Sequence, residues 1–155
     1  MAENHALLLG ALIGNIHSLE TLLRTFLNNK NPASSLSVPM GKSHFQLQVG
    51  DIVPESAFTN FDSLGALVRK YNAAMSQKNA TLLVDDRVVR IRDLLAHGRV
   101  SADLTDASRL AIIKFDKPTK SYVRVSDSAL MTEHWFQEHI DLVRAQLEKV
   151  DQALK

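Results

Sequence analysis

The sequence predicts a mainly all-α protein, a four-to-five-helix up-down bundle with a small β-hairpin inserted before the C-terminal helix. In four segments, apolar residues recur at alternating spacings of three and four, which is the period of one helix face. Before the last of these segments the period changes and residues typical of strands accumulate. Seams of this kind favour bundle packing. At 155 residues we expect a single domain over residues 1–155.

The first predicted helix spans residues 2–28. Further apolar residues widen its stripe, so we expect burial on more than one side. Gly10 and Gly14 lie one turn apart and indicate close contact with a neighbouring helix. The apolar face consists of Leu9, Leu12, Ile16, Leu19, Leu23 and Phe26, and the widening residues are Leu7, Leu8, Ile13, Leu22 and Leu27.

Residues 31–60 are predicted to form a long loop. Three of the four prolines lie here, at Pro32, Pro39 and Pro54. Within the loop, Phe45, Leu47 and Val49 alternate with glutamines and predict a short strand. A connection of this length in a compact domain is either functional or mobile.

Two further helices follow the loop. The second begins near Phe61, with Asn60 or Asp62 as its N-cap. The third runs from about residue 81 to His97, and Gly98 is expected to end it as the C′ residue. The predicted buried positions are Phe61, Leu64, Val68, Tyr71 and Met75 in the second helix, and Val84, Val88, Ile91 and Leu95 in the third.

The β-hairpin is predicted over residues 109–126, with strands at 109–115 and 121–126 and a turn at 116–120. The final helix follows, with Thr132 as its N-cap. Its buried face is expected to contain Phe136, Ile140, Val143, Leu147, Val150 and Leu154.

The composition excludes several classes of function. The formal net charge is +1, so any phosphate-binding surface must come from local clustering or from pairing two chains. The chain has no cysteine, which excludes disulfides and thiolate metal sites. No basic segment precedes the first apolar residues, and no run approaches the length of a membrane span, so we expect a cytoplasmic protein without membrane association.

The most informative motif is Arg92-Asp93-Leu94-Leu95-Ala96-His97, followed directly by Gly98. Arginine can hold a phosphate with a planar fork of donors, and histidine can move protons near neutral pH. Neither side chain needs a metal for this chemistry. The pair therefore suggests phosphodiester cleavage, for which RNA supplies its own 2′-hydroxyl as nucleophile.

Helical geometry separates the members of this motif. Arg92 and His97 project roughly 140° apart, so a shared site needs help from outside the helix. Asp93 lies four residues before His97 and could orient its imidazole. Arg90 also shares a face with His97 and is a second candidate phosphate ligand. The alternative is that His97 is a helix-terminal histidine that caps free carbonyls.

The motif and the order of elements around it resemble the HEPN domain family, whose signature is Arg-polar-x3-His near the end of the third helix of a four-helix bundle. The resemblance implies a metal-independent endoribonuclease in which two chains dimerise and their motifs meet. His97 would then be the general base on the 2′-hydroxyl, with His97 of the second copy as general acid. Arg92 would stabilise the phosphorane and Asp93 would orient His97.

The sequence departs from one version of this family. Members paired with a nucleotidyltransferase antitoxin commonly have a tyrosine two residues after the histidine, where this chain has Arg99. This places the toxin-antitoxin version with tyrosine modification in doubt, although a protein partner or antitoxin stays possible. Arg99 is a further candidate RNA-binding residue. Many HEPN domains are also non-catalytic, so the alternative is a helical interaction module that binds a partner protein through its last helix or long loop.

Other candidate sites have weaker support in the sequence. His134 and Glu138 are spaced as a metal pair, but two ligands do not make a zinc site, and a solvated helix surface is the simpler interpretation. Trp135 is expected to anchor a core or an interface. No glycine-rich phosphate loop is present, which excludes nucleotide hydrolysis of the P-loop type. We expect no cofactor and no bound metal.

Overall fold

The computed structural model describes residues 2–30, 46–103, 105–106 and 109–155. These residues are mainly helical, with a small antiparallel sheet before the C-terminal helix, in agreement with the predicted class. The helices are α1 (Ala2–Asn29), α2 (Leu64–Met75), α3 (Arg87–His97) and α4 (Glu133–Leu154), with a 3₁₀ turn at Ala80–Leu82. The strands are β1 (Arg99–Ala102), β2 (Leu110–Phe115) and β3 (Val125–Leu130), in the order β1-β2-β3.

The chain divides into two compact units. The first contains residues 1–17 and 85–146, and the second contains residues 18–84 and 147–155. The first unit holds α3, the sheet and most of α4, and its buried side chains include Val88, Ile91, Ile112, Phe136 and Ile140. The second holds α2, and its buried side chains include Leu19, Leu23, Leu67, Tyr71 and Val150.

The first helix forms as predicted, and most of its apolar face is buried. Its widened stripe is not, because Leu7 is 73% exposed and Ile13 is 40% exposed. The prediction of close contact at Gly10 and Gly14 is also wrong, since nothing lies within 4 Å of a Cβ built at either position. One side of α1 is therefore open among the described residues.

The exposed apolar side of α1 is relevant to the expectation that the chain has no membrane segment. Within α1, residues Asn4–Asn29 are long and apolar enough to cross a membrane by length and composition alone. The expectation drawn from run length does not hold for this helix. Only 22% of its apolar window is buried, and the helix is compatible with a soluble or a membrane protein. The cytoplasmic location stays a prediction.

The second helix begins three residues later than predicted. Its N-cap is Ser63, whose hydroxyl accepts a hydrogen bond from the Ala66 amide, rather than Asn60 or Asp62. Phe61 is fully exposed instead of buried. Asn60 and Asp62 are engaged elsewhere, since the guanidinium of Arg24 binds the carbonyls of both residues and the amide oxygen of Asn60.

The predicted strand in the long loop is absent from the part that the structure describes. Phe45 lies outside the described residues, as does 31–44. Over residues 46–50 the chain makes a turn, in which the Asp51 carboxylate accepts from the Gln48 amide and Gly50 has a positive φ of 99°. Val49 is fully exposed. The alternating apolar residues in this described segment do not form a strand of a sheet.

The third helix is shorter than predicted because its first half is a separate 3₁₀ turn followed by extended chain. The Asn72 side chain binds both the amide and the carbonyl of Val84, which holds that residue out of a helix. Asp85 then accepts from the Arg87 amide, where α3 begins. Val88 and Ile91 are buried as predicted, but Leu94 rather than Leu95 completes the buried face.

The predicted hairpin is part of a three-stranded sheet. β2 lies within the predicted first strand, whereas β3 lies later than predicted and β1 was not foreseen. Ile113 of β2 pairs with Arg99 on one side and with Ser128 on the other. β1 is exposed along its length and β3 is rich in serine, so neither carries an apolar alternation that reveals a strand.

The last helix forms as predicted. The hydroxyl of Thr132 accepts a hydrogen bond from the Trp135 amide, which is the contact of an N-cap. Phe136, Ile140, Val143 and Val150 are buried, while Leu147 and Leu154 are half-buried.

Candidate functional site

The end of α3 places His97 at the surface. Its side chain is 61% exposed, so it is not a buried cap. Its Nε2 lies 3.6 Å from Oδ1 of Asp93, one turn earlier on the same face. This separation is longer than a hydrogen bond, so the Asp93 carboxylate lies beside the imidazole without a hydrogen bond between them.

Gly98 follows the end of α3 as predicted, but the need for a glycine there is steric rather than conformational. Gly98 is the C-cap, and its backbone is extended, at φ −73° and ψ 154°, a conformation open to any residue. However, a Cβ at this position would lie 2.5 Å from both Cγ1 of Ile112 and the carbonyl oxygen of Leu94. Glycine is therefore required by the close approach of α3 to β2.

That close approach connects α3 to the sheet through two ion pairs. Lys114 of β2 and Asp127 of β3 are direct cross-strand partners, so their side chains lie on one face of the sheet. Lys114 binds Asp93, and Asp127 binds Arg90. The acid is on the helix in one pair and on the sheet in the other, and both pairs join α3 to the same face of the sheet.

The ion pair with Asp127 gives Arg90 a different position from the one predicted beside His97. Its Nε and Nη2 donate to the two Asp127 oxygens at 2.8 and 3.0 Å. These hydrogen bonds hold the pKa of Asp127 below its usual value and raise the pKa of Arg90. Arg90 lines a different cavity from His97. The structure therefore does not bring Arg90 to His97 as a phosphate ligand.

A cavity of about 210 Å³ opens beside His97. Arg99 lines it as well, with its guanidinium 5.4 Å from the centroid of the Phe115 ring, a cation-π distance. The structure therefore brings two of the predicted site residues, His97 and Arg99, to one cavity. The remaining lining residues are Asp116, Pro118 and Val123.

Arg92 lies apart from this cavity. It is half-buried on α3, and it lines neither the cavity beside His97 nor the cavity that Arg90 lines. Within the described part of the chain, its guanidinium has no carboxylate or carbonyl partner. No described side chain pairs with its charge, and Arg92 does not line the cavity beside His97.

Two residues that contribute to the site, Lys114 and Phe115, were not predicted from the sequence. Lys114 binds the carboxylate of Asp93, and Phe115 supports Arg99. Both lie on the strand that was predicted, but only the packing of α3 against that strand assigns them to this site. No signal along the sequence could have found them.

The alternative metal pair on α4 lies on an exposed face of the helix. His134 and Glu138 are exposed, and Nδ1 of His139 donates to the Trp135 carbonyl at 2.6 Å. Among the described residues, no group of three or more histidine or acidic side chains is placed to hold a metal ion. Trp135 is half-buried and packs against the His139 ring, with the two centroids 4.4 Å apart.

No family model, curated protein or solved structure matches the chain. The resemblance to the HEPN family therefore depends on the motif and the order of elements, and stays a prediction.

Proposed function

We propose that the protein is a metal-independent endoribonuclease of HEPN type, built as a helical bundle and active as a homodimer. The observation that carries the proposal is the exposed His97 at the end of α3, with Asp93 beside it and Arg99 in the same cavity. An exposed imidazole can reach a substrate, whereas a buried cap cannot.

The chemistry follows from the side chains. His97 takes the proton of the RNA 2′-hydroxyl, and the 2′-oxygen attacks the adjacent phosphorus. The bond from phosphorus to the 5′-oxygen breaks, which leaves a 2′,3′-cyclic phosphate and a 5′-hydroxyl. Arg92 stabilises the additional charge on the phosphorane, and Arg99 binds the flanking phosphate.

A second copy of the chain supplies the missing acid. The 5′-oxygen needs a proton as it leaves, and the described part of the chain has one imidazole, His97, in this cavity. Arg92 and His97 also point in different directions on one helix. Pairing two copies about a two-fold axis would give one site two histidines and two arginines, which is why the proposal requires a homodimer.

RNA cleavage in excess EDTA tests the proposal. We expect His97→Ala and Arg92→Ala each to reduce the rate by about 100-fold or more, as the loss of a general base or a charge stabiliser does. His134→Ala is the matched control, because it removes an exposed histidine from α4. Replacing the 2′-hydroxyl with hydrogen at the cleaved position must abolish the reaction. Sedimentation of the active protein as a monomer would refute the shared site.

The second candidate is a non-catalytic interaction module. The exposed apolar residues of α1, Leu7 and Ile13, favour it because a protein partner would cover them. This candidate predicts no RNA cleavage beyond that of His97→Ala across a broad panel of RNAs. It also predicts that substituting Leu7 and Ile13 with serine abolishes binding of a partner, an antitoxin protein included, while the helical content stays unchanged.

A further inference from the structure

A second cavity lies on the same unit as His97, further toward the start of α3. Its volume is about 420 Å³, within the range of roughly 300–1,000 Å³ typical of small-molecule sites. One wall is the face of α3 that carries Arg90 and Leu94, and the facing walls come from β3 and α4. Apolar and polar side chains both line it, as in sites that bind a planar polar ring.

The α4 wall is aromatic. Trp135 and His139 both line the cavity, and their rings pack together at 4.4 Å between centroids with 32° between their planes. Because His139 Nδ1 donates to the Trp135 carbonyl, the Nε2 atom of His139 is the ring nitrogen that this bond leaves over. A flat heterocycle can stack on such a wall and accept or donate at its edge.

The opposite wall presents a fixed arginine. Arg90 is 75% exposed, although Asp127, at 15% exposed, holds it through two hydrogen bonds. The bidentate pair occupies two of the five N–H donors of the guanidinium, and the others are left for a ligand. Because Asp127 fixes the plane of the guanidinium, little side-chain entropy is lost when those donors bind a phosphate or a base edge.

We infer that this cavity binds one nucleotide of a single-stranded RNA, with its base on the Trp135–His139 wall and its phosphate or base edge on Arg90. This inference rests on the proposed ribonuclease function for its choice of RNA. An unpaired base can leave the strand and stack on aromatic side chains, whereas a paired base cannot.

The position of the cavity relative to His97 agrees with this role. Arg90 precedes His97 by seven residues, which is two turns of helix, so the two side chains lie on one face about 10 Å apart along the axis. A strand whose scissile phosphate lies at His97 can therefore place a nearby base in the cavity. The cavity would then select unpaired RNA and position it.

The chain contains a single tryptophan, so all tryptophan fluorescence comes from Trp135, which lines this cavity. We would titrate the wild-type protein with a 2′-O-methyl oligoribonucleotide, which binds without being cut, with adenosine 5′-monophosphate and with inorganic phosphate. Saturable quenching by the oligomer and not by inorganic phosphate is expected. Quenching by the monophosphate at similar concentrations would show that a free nucleotide suffices. No quenching by either nucleotide probe would overturn the inference.

Matched variants localise the effect. With a labelled 2′-O-methyl oligomer, we expect Arg90→Gln and His139→Ala each to weaken binding at least about fivefold, the low end for one base stacked on an aromatic side chain. Arg109→Gln is the control for Arg90, because Arg109 pairs with Asp103 on a different part of the surface. His134→Ala is the control for His139. Equal affinity of the variants and their controls would refute the site.

Failure of this inference is distinguishable from failure of the proposed function. If RNA is cleaved and the cavity variants change neither oligomer affinity nor KM, the ribonuclease stands and the nucleotide site falls. If the oligomer quenches Trp135 fluorescence and Arg90→Gln weakens binding of the oligomer, but no RNA is cleaved, the nucleotide site is supported and the ribonuclease proposal is refuted.

Discussion

Replacing Gly98 with alanine is the sharpest test of how α3 is joined to the sheet. The added Cβ would lie 2.5 Å from Cγ1 and 2.9 Å from Cδ1 of Ile112, and 2.5 Å from the Leu94 carbonyl oxygen. Ile112 is 1% exposed and cannot move into solvent, and the carbonyl belongs to the helix itself. The helix and the strand must therefore separate to accept the methyl group.

The magnitude follows from two opposing effects. Overpacking a core in this way costs about 1–3 kcal/mol. Alanine also restricts the unfolded chain, which stabilises the protein by about 0.4–1 kcal/mol. The net loss is thus on the order of 1–2 kcal/mol, and at about 2–4 °C per kcal/mol for a chain of this size, Tm falls by roughly 2–8 °C.

Gly10→Ala is the matched control, and its expected effect has the opposite sign. Gly10 lies within α1 with nothing within 4 Å of its Cβ, so alanine gains helix propensity of about 0.5–1 kcal/mol without a clash. Urea unfolding of the two variants and the wild type, followed by far-UV circular dichroism, measures both differences. Gly98→Ala at wild-type stability would refute the steric argument.

A double substitution separates the two contacts at Gly98. In the background of Ile112→Ala, which removes Cγ1 and Cδ1, Gly98→Ala should cost less than it does alone. The part of the cost that persists belongs to the Leu94 carbonyl. A greater cost in that background than alone would contradict the contact with Ile112.

Three further predictions concern other contacts. Since Arg90 lowers the pKa of Asp127, this carboxylate stabilises the fold above its unfolded pKa of about 3.9 and the effect is lost as pH falls through the lowered pKa. Asp127→Asn should therefore destabilise at pH 7, and the difference from wild type should shrink by pH 3 in urea unfolding. Arg24→Met should cost on the order of 3 kcal/mol, because Arg24 is 12% exposed and binds several loop carbonyls; exposed Arg69→Met, the control, should change the thermal midpoint little. Ser63→Ala should cost about 1 kcal/mol by calorimetry through loss of the α2 N-cap, and an unchanged Tm would contradict that role.

Much of the helical structure could be predicted because each helix carries its own signal. In α4, the three-four spacing and the hydroxyl of Thr132 set the buried face and the first turn locally. The beginnings of α2 and α3 could not be predicted, because distant partners decide them. Arg24 binds the segment before α2, and Asn72 holds Val84 in an extended conformation before α3.

Some features of the candidate site could likewise be predicted from the sequence, and others could not. The sequence by itself determined that an arginine, an acid and a histidine end one helix, and that Asp93 lies one turn from His97, because spacing on a helix is set by its period. Only the tertiary structure decided that Arg90 turns to Asp127, that Lys114 binds Asp93, and that Arg99 joins His97 in one cavity. These contacts depend on the register of α3 against the sheet. Two strands of that sheet, β1 and β3, have no apolar alternation from which they could be predicted.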